Sequence, residues 1–228
     1  MINKRHELKY MINKMEYHII VNKLSKILNR DNNSINNNYT VSSLYFDNFN
    51  NKAYHDKLNG EAIRHKFRVR YYNNNTERLK LEQKSKINQI TIKQSVLLTK
   101  LELTQIFKSN FNFLLAKNHL LYYKFYQQLQ HELLKPKVIV KYQREAFIHK
   151  AGRLRITFDK QVKTANNQTN IFAKNLKFID AIDPSIIIME IKFNEVLPSF
   201  IKGILECAHT RQIAASKYVF SRKYNAIF

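Results

Sequence analysis

The side chains that could do chemistry in this chain are cations spaced two residues apart. Arg64, Lys66, Arg68 and Arg70 alternate with His65, Phe67, Val69 and Tyr71. Arg78, Lys80, Glu82 and Lys84 then alternate with Leu79 and Leu81. The same spacing returns in Arg5-x-Glu7-x-Lys9, in Tyr142-x-Arg144, in Arg153, Arg155, Thr157 and Asp159, and in Glu190-x-Lys192. Successive side chains of a strand point to opposite faces. Each segment therefore presents one apolar face and one face of Arg and Lys with an occasional carboxylate. Such a face suits phosphate groups, because Arg grips oxygens in pairs and Lys brings a movable point charge.

Two readings of the alternation stand side by side. One is an ordinary amphipathic sheet, apolar side to the core and charged side to water. The other is a closed or strongly curved sheet, a β-tunnel with a basic lumen and helices packed outside. Like charges opposite each other on neighbouring strands are destabilising, and a bound polyanion would relieve that crowding. The carboxylates on the basic faces also read two ways. Glu82 can be a structural ion pair. A tunnel that binds triphosphate would need Mg²⁺ or Mn²⁺, which takes one or two carboxylates plus substrate phosphates. Glu190 is the first candidate ligand, since an idle charge among Ile186, Ile187, Ile188, Met189 and Ile191 would be costly.

Little else in the chain offers chemistry. Cys207 is the single cysteine, which excludes a disulfide framework and a multi-thiolate zinc site. The eight histidines show no ligand spacing, and His6 and His65 fall opposite the basic faces. Arg64 and Arg153 are in phase with the basic faces but at strand ends. Tyr122, Tyr123, Phe125 and Tyr126 read as helix packing.

The elements that must position these residues follow from periodicity. A strand over 5–12 leads into a helix with Asn13 as N-cap and Glu16 three residues on, a capping-box pattern. Ile20, Leu24, Ile27 and Leu28 would form its buried stripe, and the Asn-rich stretch 32–38 would end it. Further strands are expected around 39–47, 63–71, 78–84, 137–145, 153–159 and 186–193, with Asn73-Asn74-Asn75 as a hairpin connection. A helix-rich insertion is expected at about 100–134, and Pro198 opens a C-terminal helical region, about 198–228, that carries Lys217. The expectation is a single α+β domain over 1–228, an antiparallel sheet with helices outside.

Composition agrees. The 228 residues carry 39 Lys+Arg against 17 Asp+Glu, a formal net charge of +22, which points to a polyanionic partner. Hydrophobic residues make up 44% of the chain, enough for a core and too many for a disordered tail. Three Gly and three Pro exclude collagen-like or Gly-rich linker architecture. No apolar run approaches a membrane span, and the start lacks a signal-peptide core, so a cytoplasmic protein is expected. No nucleic-acid-binding signature accompanies the charge.

The ordered motifs resemble a known family. They are Arg5-His6-Glu7-Leu8-Lys9-Tyr10, Ser42-Ser43-Leu44-Tyr45-Phe46-Asp47, Lys66-Phe67-Arg68-Val69-Arg70-Tyr71, Leu81-Glu82-Gln83-Lys84-Ser85-Lys86, Tyr142-Gln143-Arg144, Leu154-Arg155-Ile156-Thr157-Phe158-Asp159, Met189-Glu190-Ile191-Lys192 and Ala215-Ser216-Lys217-Tyr218. Together, over about 3–225, they look like the VTC domain, the polyphosphate polymerase module of the CYTH-like triphosphate tunnel metalloenzymes. The resemblance implies an eight-stranded antiparallel tunnel that transfers the ATP γ-phosphate to a growing polyphosphate chain and releases ADP. It implies that Lys9, Arg68, Arg70, Lys84, Arg144, Arg155 and Lys217 are the catalytic phosphate-holding residues, joined by Lys93, Tyr142 and Ser216. It makes Glu190 the ligand of Mn²⁺ or Mg²⁺. A membrane-protein partner chain is expected from the family, with ATP and polyphosphate as ligands and no nucleic acid. Where relatives in the triphosphatase and cyclase branch open with Glu-x-Glu-x-Lys, Arg5 replaces the first carboxylate, which favours the polymerase. The alternatives are a tripolyphosphatase or nucleoside triphosphatase, or a non-catalytic domain that binds polyphosphate or inositol phosphates.

Overall fold

Alternation becomes strands and the capping sequences open helices. In the computed structural model the described residues are 6–31, 37–88, 90–149, 153–165, 167–194, 196–207 and 212–225. In chain order they form β1 (His6–Ile12), α1 (Lys14–Leu24), β2 (Asn29–Arg30), β3 (Tyr39–Asp47), α2 (Lys52–Leu58), β4 (Ile63–Tyr72), β5 (Asn75–Ile87) and β6 (Ile90–Leu98). There follow α3 (Lys100–Phe107), a 3-10 turn (Asn112–Ala116), α4 (Leu120–Gln130), β7 (Lys135–His149), β8 (Leu154–Ala165), β9 (Phe178–Asp180), β10 (Ile187–Phe193), α5 (Ser199–Cys207) and α6 (Lys217–Asn225). The architecture is α+β, with six α-helices and ten strands among the described residues. Eight of the strands are of substantial length; β2 and β9 are short and pair with β7 and β8.

The chain divides into two compact units. The first takes residues 1–40, 142–162 and 180–217. Its strands lie in the order β1-β10-β8-β7, with β1 and β8 both antiparallel to β10. Asn13 caps α1 as expected: its side chain accepts from the Glu16 N–H, and Glu16 accepts in return from the Asn13 N–H. Ile20 and Leu24 of α1 join Ile12, Phe147, Phe158, Met189, Ile191 and Ile201 in one apolar core. Glu145 lies on the other face of β7 from Arg144 and is held by Tyr17, Arg30 and Lys160.

The stripe expected on α1 is corrected at its end. The helix stops at Leu24, and the backbone continues as turns in which the Leu28 N–H reaches the Leu24 carbonyl. Once helical phase is lost, Leu28 still reaches the core while Ile27 is 48% exposed. The expected helix end at 32–38 is overtaken by this early stop, and positions 32–36 lie outside the described residues. Arg5, expected to begin β1, does too.

The second unit takes residues 41–141, 163–179 and 218–228, with strands in the order β7-β3-β4-β5-β6. The hairpin between β4 and β5 pairs Tyr72 with Asn75. Asn73 and Asn74 turn the corner at φ 50° and 57°. Two positive φ values are the signature of the tight turn that matches strand twist, and Asn tolerates them better than most residues. Thr99 and Glu102 form a capping box on α3. The helices α3 and α4 cover the apolar face of the sheet, where Phe125 packs on Phe46 and Phe67. Strand β6 has no counterpart among the expected strands, because Ile90, Ile92 and Leu97 stay substantially exposed and its alternation is weak.

Candidate functional site

The expected site residues fall into two clusters, one in each unit. In the first unit, strand register brings the charged residues into rows. Lys9 on β1 lies opposite Glu190 on β10, which lies opposite Thr157 on β8. Two residues along, Glu7, Lys192 and Arg155 form the next row. Register alone therefore surrounds Glu190 with lysines, and a loop adds another. The Ile213 N–H donates to the Lys9 carbonyl at 2.8 Å, and Lys9 Nζ donates to the Ala215 carbonyl at 3.1 Å. This stitching delivers Lys217, the first residue of α6, with Ser216 buried before it.

The result is a dense ion network. Glu190 is 7% exposed. Its Oε1 accepts from Lys217 Nζ at 3.0 Å and lies 3.6 Å from Lys9 Nζ, and its Oε2 lies 3.3 Å from Lys192 Nζ. Lys9 Nζ is also 3.0 Å from Glu7, and Lys217 Nζ is 2.5 Å from Asp159. Arg144 donates to both oxygens of Asp159 at 2.6 and 2.7 Å and to the Tyr142 hydroxyl at 3.3 Å. The Tyr142 ring lies under both Arg144 and Lys217. Arg155 Nη2 donates to Asp31 at 2.6 Å and to the Tyr39 hydroxyl at 2.9 Å.

Burial pushes the Glu190 carboxyl up, but Lys217, Lys9, Lys192 and Arg144 together hold it well below the usual carboxylate range. Burial also opposes ionisation of Asp159, and Arg144 and Lys217 outweigh it, so its pKa too is lowered. Lys217 and Lys9 rise despite burial because of the carboxylates beside them. Every one of these groups is charged at neutral pH.

The second cluster is centred on Glu82 of β5, 1% exposed. Arg68 on β4 donates to it from Nε and approaches through Nη2, each at 2.7 Å. Arg70 Nη1 lies 3.8 Å from the same oxygen, Oε2, and Lys93 on β6 lies 2.5 Å from the other, Oε1. Tyr45 and Ser43 on β3 hold the two guanidiniums, accepting from Arg68 at 3.0 Å and from Arg70 at 3.2 Å. Burial raises the Glu82 pKa, and the cations overcome it and bring it down to about 2. In the next row Lys66, Lys84 and Lys93 are in direct register across three strands. Paired like charges of that kind cost stability when nothing neutralises them.

Lys9, Tyr142, Arg144, Glu190, Ser216 and Lys217 thus gather in the first unit, with Arg155 on the same face of β8. Arg68, Arg70, Lys84 and Lys93 gather in the second. Sequence reasoning places Asp159 on the charged face of β8 with Arg155 but gives it no role in the site. Ser43 and Tyr45 are quoted in a motif but given no role, and Asp31 and Tyr39 are missed altogether; those two reach Arg155 from more than a hundred residues away and leave no local signal.

Among the described residues no group of three or more His, Cys, Asp and Glu gathers for a metal. Glu190 offers hard carboxylate oxygens, and Lys9 Nζ already bridges it to Glu7 as a cation. That donor set fits Mg²⁺ or Mn²⁺, which uses one or two carboxylates and completes its shell from phosphates and water.

Comparison with known proteins gives the fold and the family of the chain. No curated protein sequence matches the chain. A solved structure from Hippeastrum, assigned as an adenylyl cyclase with a dominant triphosphatase activity, superposes with a TM-score of 0.55 at 11% identity, covering 96% of both chains. One from Bacillus halodurans, assigned as an adenylate cyclase, superposes at 0.54 and 12% identity, covering 93% of this chain and 95% of that one. At such identity the likeness establishes the fold alone, a CYTH-like α+β antiparallel sheet with helices. The VTC domain model matches residues 4–225, so nearly the whole sequence carries the family's pattern, and the chain belongs to the VTC domain family.

Proposed function

We propose that this chain is an ATP-dependent polyphosphate polymerase, one VTC-type domain that moves the ATP γ-phosphate onto a growing polyphosphate chain. The observation that carries the reading is the state of the carboxylates in the first cluster. Glu7, Asp159 and Glu190 are each ion-paired to Lys or Arg, and the last two are held below the normal range. A general base for activating water works best with a pKa near neutral, and Asp159 and Glu190 are held well away from it. A terminal polyphosphate oxygen is already ionised and needs no base. It attacks the γ-phosphorus, the bond to the β–γ bridging oxygen breaks, and ADP leaves with that electron pair. Phosphoryl transfer of this kind asks for positioning and charge neutralisation.

In this proposal Lys9, Arg144, Arg155 and Lys217 hold phosphates in the first unit, with hydrogen bonds from Tyr142 and Ser216. Arg68, Arg70, Lys84 and Lys93 do so in the second. Glu190 holds Mn²⁺ or Mg²⁺, which when bound neutralises charge on the phosphate oxygens. The closed eight-stranded tunnel, a cytoplasmic location, a membrane-protein partner and the exclusion of nucleic acid belong to the same proposal. No helix among the described residues is long and apolar enough to cross a membrane.

The second reading, a triphosphatase, draws support from the activity stated for the Hippeastrum protein. Incubation with ATP radiolabelled at the γ-phosphate and Mn²⁺ separates them on a gel. A ladder of long polymer is expected. Labelled orthophosphate alone would replace the polymerase with a triphosphatase, and ATP binding without turnover would leave a polyphosphate or inositol-phosphate sensor. Replacing Arg68 and Arg70 together should abolish ATP binding.

A further inference from the structure

The residue proposed to hold the metal is already occupied by the protein's own cations. Both oxygens of Glu190 are engaged, one by Lys217 and Lys9 and the other by Lys192. Around it the carboxylates Glu7, Asp159 and Glu190 are balanced by Lys9, Lys192, Lys217 and Arg144. The cluster therefore carries no surplus negative charge. A divalent ion arriving alone would have to displace ammoniums and then stay beside them, in buried surroundings where like charges repel strongly.

A triphosphate changes that balance. It brings enough negative charge to engage the lysines and leave Glu190 for the metal. The three lysines are suited to the exchange, because an ammonium on a flexible stem can swing from a carboxylate to a phosphate oxygen. Arg144 is not, since Asp159 holds its guanidinium at two points. We propose that Lys9, Lys192 and Lys217 keep the metal's place at Glu190, so that the divalent ion is admitted only together with the triphosphate. The inference rests on the proposed function and adds Lys192, 3.3 Å from Glu190, to the groups that exchange a carboxylate for phosphate. Linkage makes the effect reciprocal: whatever the triphosphate does for metal affinity, the metal does for triphosphate affinity.

The test uses Mn²⁺ alone, followed by electron paramagnetic resonance, and tripolyphosphate with and without Mn²⁺, followed by calorimetry. Mn²⁺ alone should bind the wild type no better than Glu190→Gln. Mn²⁺–tripolyphosphate should bind the wild type about 5- to 150-fold more tightly than that variant, the range of ordinary coupling energies. Metal-free tripolyphosphate should show no such preference. Lys192→Met, checked for folding by its thermal melt, should gain affinity for Mn²⁺ alone. Tight, Glu190-dependent binding of Mn²⁺ to the wild type without phosphate overturns the inference while leaving the polymerase reading intact. Failure of the wild type to bind tripolyphosphate under either condition overturns both.

Discussion

Asp159→Asn is the most informative single perturbation of the first cluster. Asp159 is wholly buried and accepts from Arg144 at 2.6 and 2.7 Å, with Lys217 Nζ at 2.5 Å. The substitution removes one charge, takes from Arg144 its two-point partner and leaves Lys217 with Glu190 alone, so the cluster holds one more uncompensated cation. Breaking a buried ion pair from one side costs about 3–5 kcal/mol. Asn keeps one acceptor oxygen, so the lower end, about 3 kcal/mol, is expected. In a chain of this size that corresponds to a fall in melting temperature of roughly 6–12 °C. Urea denaturation at neutral pH measures it directly. Adding Lys217→Met should then return part of the loss, because the cluster's excess of positive charge falls by one, with a coupling of about 0.5–3 kcal/mol. A loss below about 1 kcal/mol, typical of an ordinary hydrogen bond, would refute the view that Asp159 neutralises this cluster.

Two further expectations concern other parts of the molecule. Glu82 has its pKa lowered from 4.5 to about 2 in the folded protein, so its contribution is complete above the unfolded value and drains away as pH falls through the folded one. Denaturation from about pH 6 to about pH 2 should show the wild type losing this contribution and Glu82→Gln lacking that dependence; parallel curves would contradict the assignment. On α1 and the turn after it, Leu24→Ala should cost about 2–5 kcal/mol for a buried leucine, and Ile27→Ala about 0.5 kcal/mol or less for an exposed side chain. Equal losses in urea would show that Ile27 is packed after all.

Much of the site is legible in residue type and spacing. Period-two alternation marks Arg68, Arg70, Arg144, Arg155 and Lys84 because a pleated strand must segregate its side chains. Glu190 stands out because a charge amid isoleucines needs partners. The capping box at Asn13 and Glu16 and the hairpin at Asn73–Asn74 are legible too, since both depend on neighbours a few residues apart. The exposure of Ile27 is not, because periodicity continues in a sequence after the backbone has left the helix. Nor is β6, which lacks a strong apolar alternation to announce it.

What the sequence by itself determined is the kind of surface each strand presents and the class of ligand, a polyanion, that would neutralise it. These are local properties, written in residue type and spacing. The pairing of each cation was decided only by tertiary structure. Glu190 meets Lys9 across β1 and β10, Asp159 gathers Arg144 and Lys217, and Asp31 and Tyr39 meet Arg155, some of them contacts between residues more than a hundred positions apart. Strand register and the loop that delivers Lys217 set those partners. Charge interactions depend on separations of a few ångströms, which residue spacing along the chain does not encode.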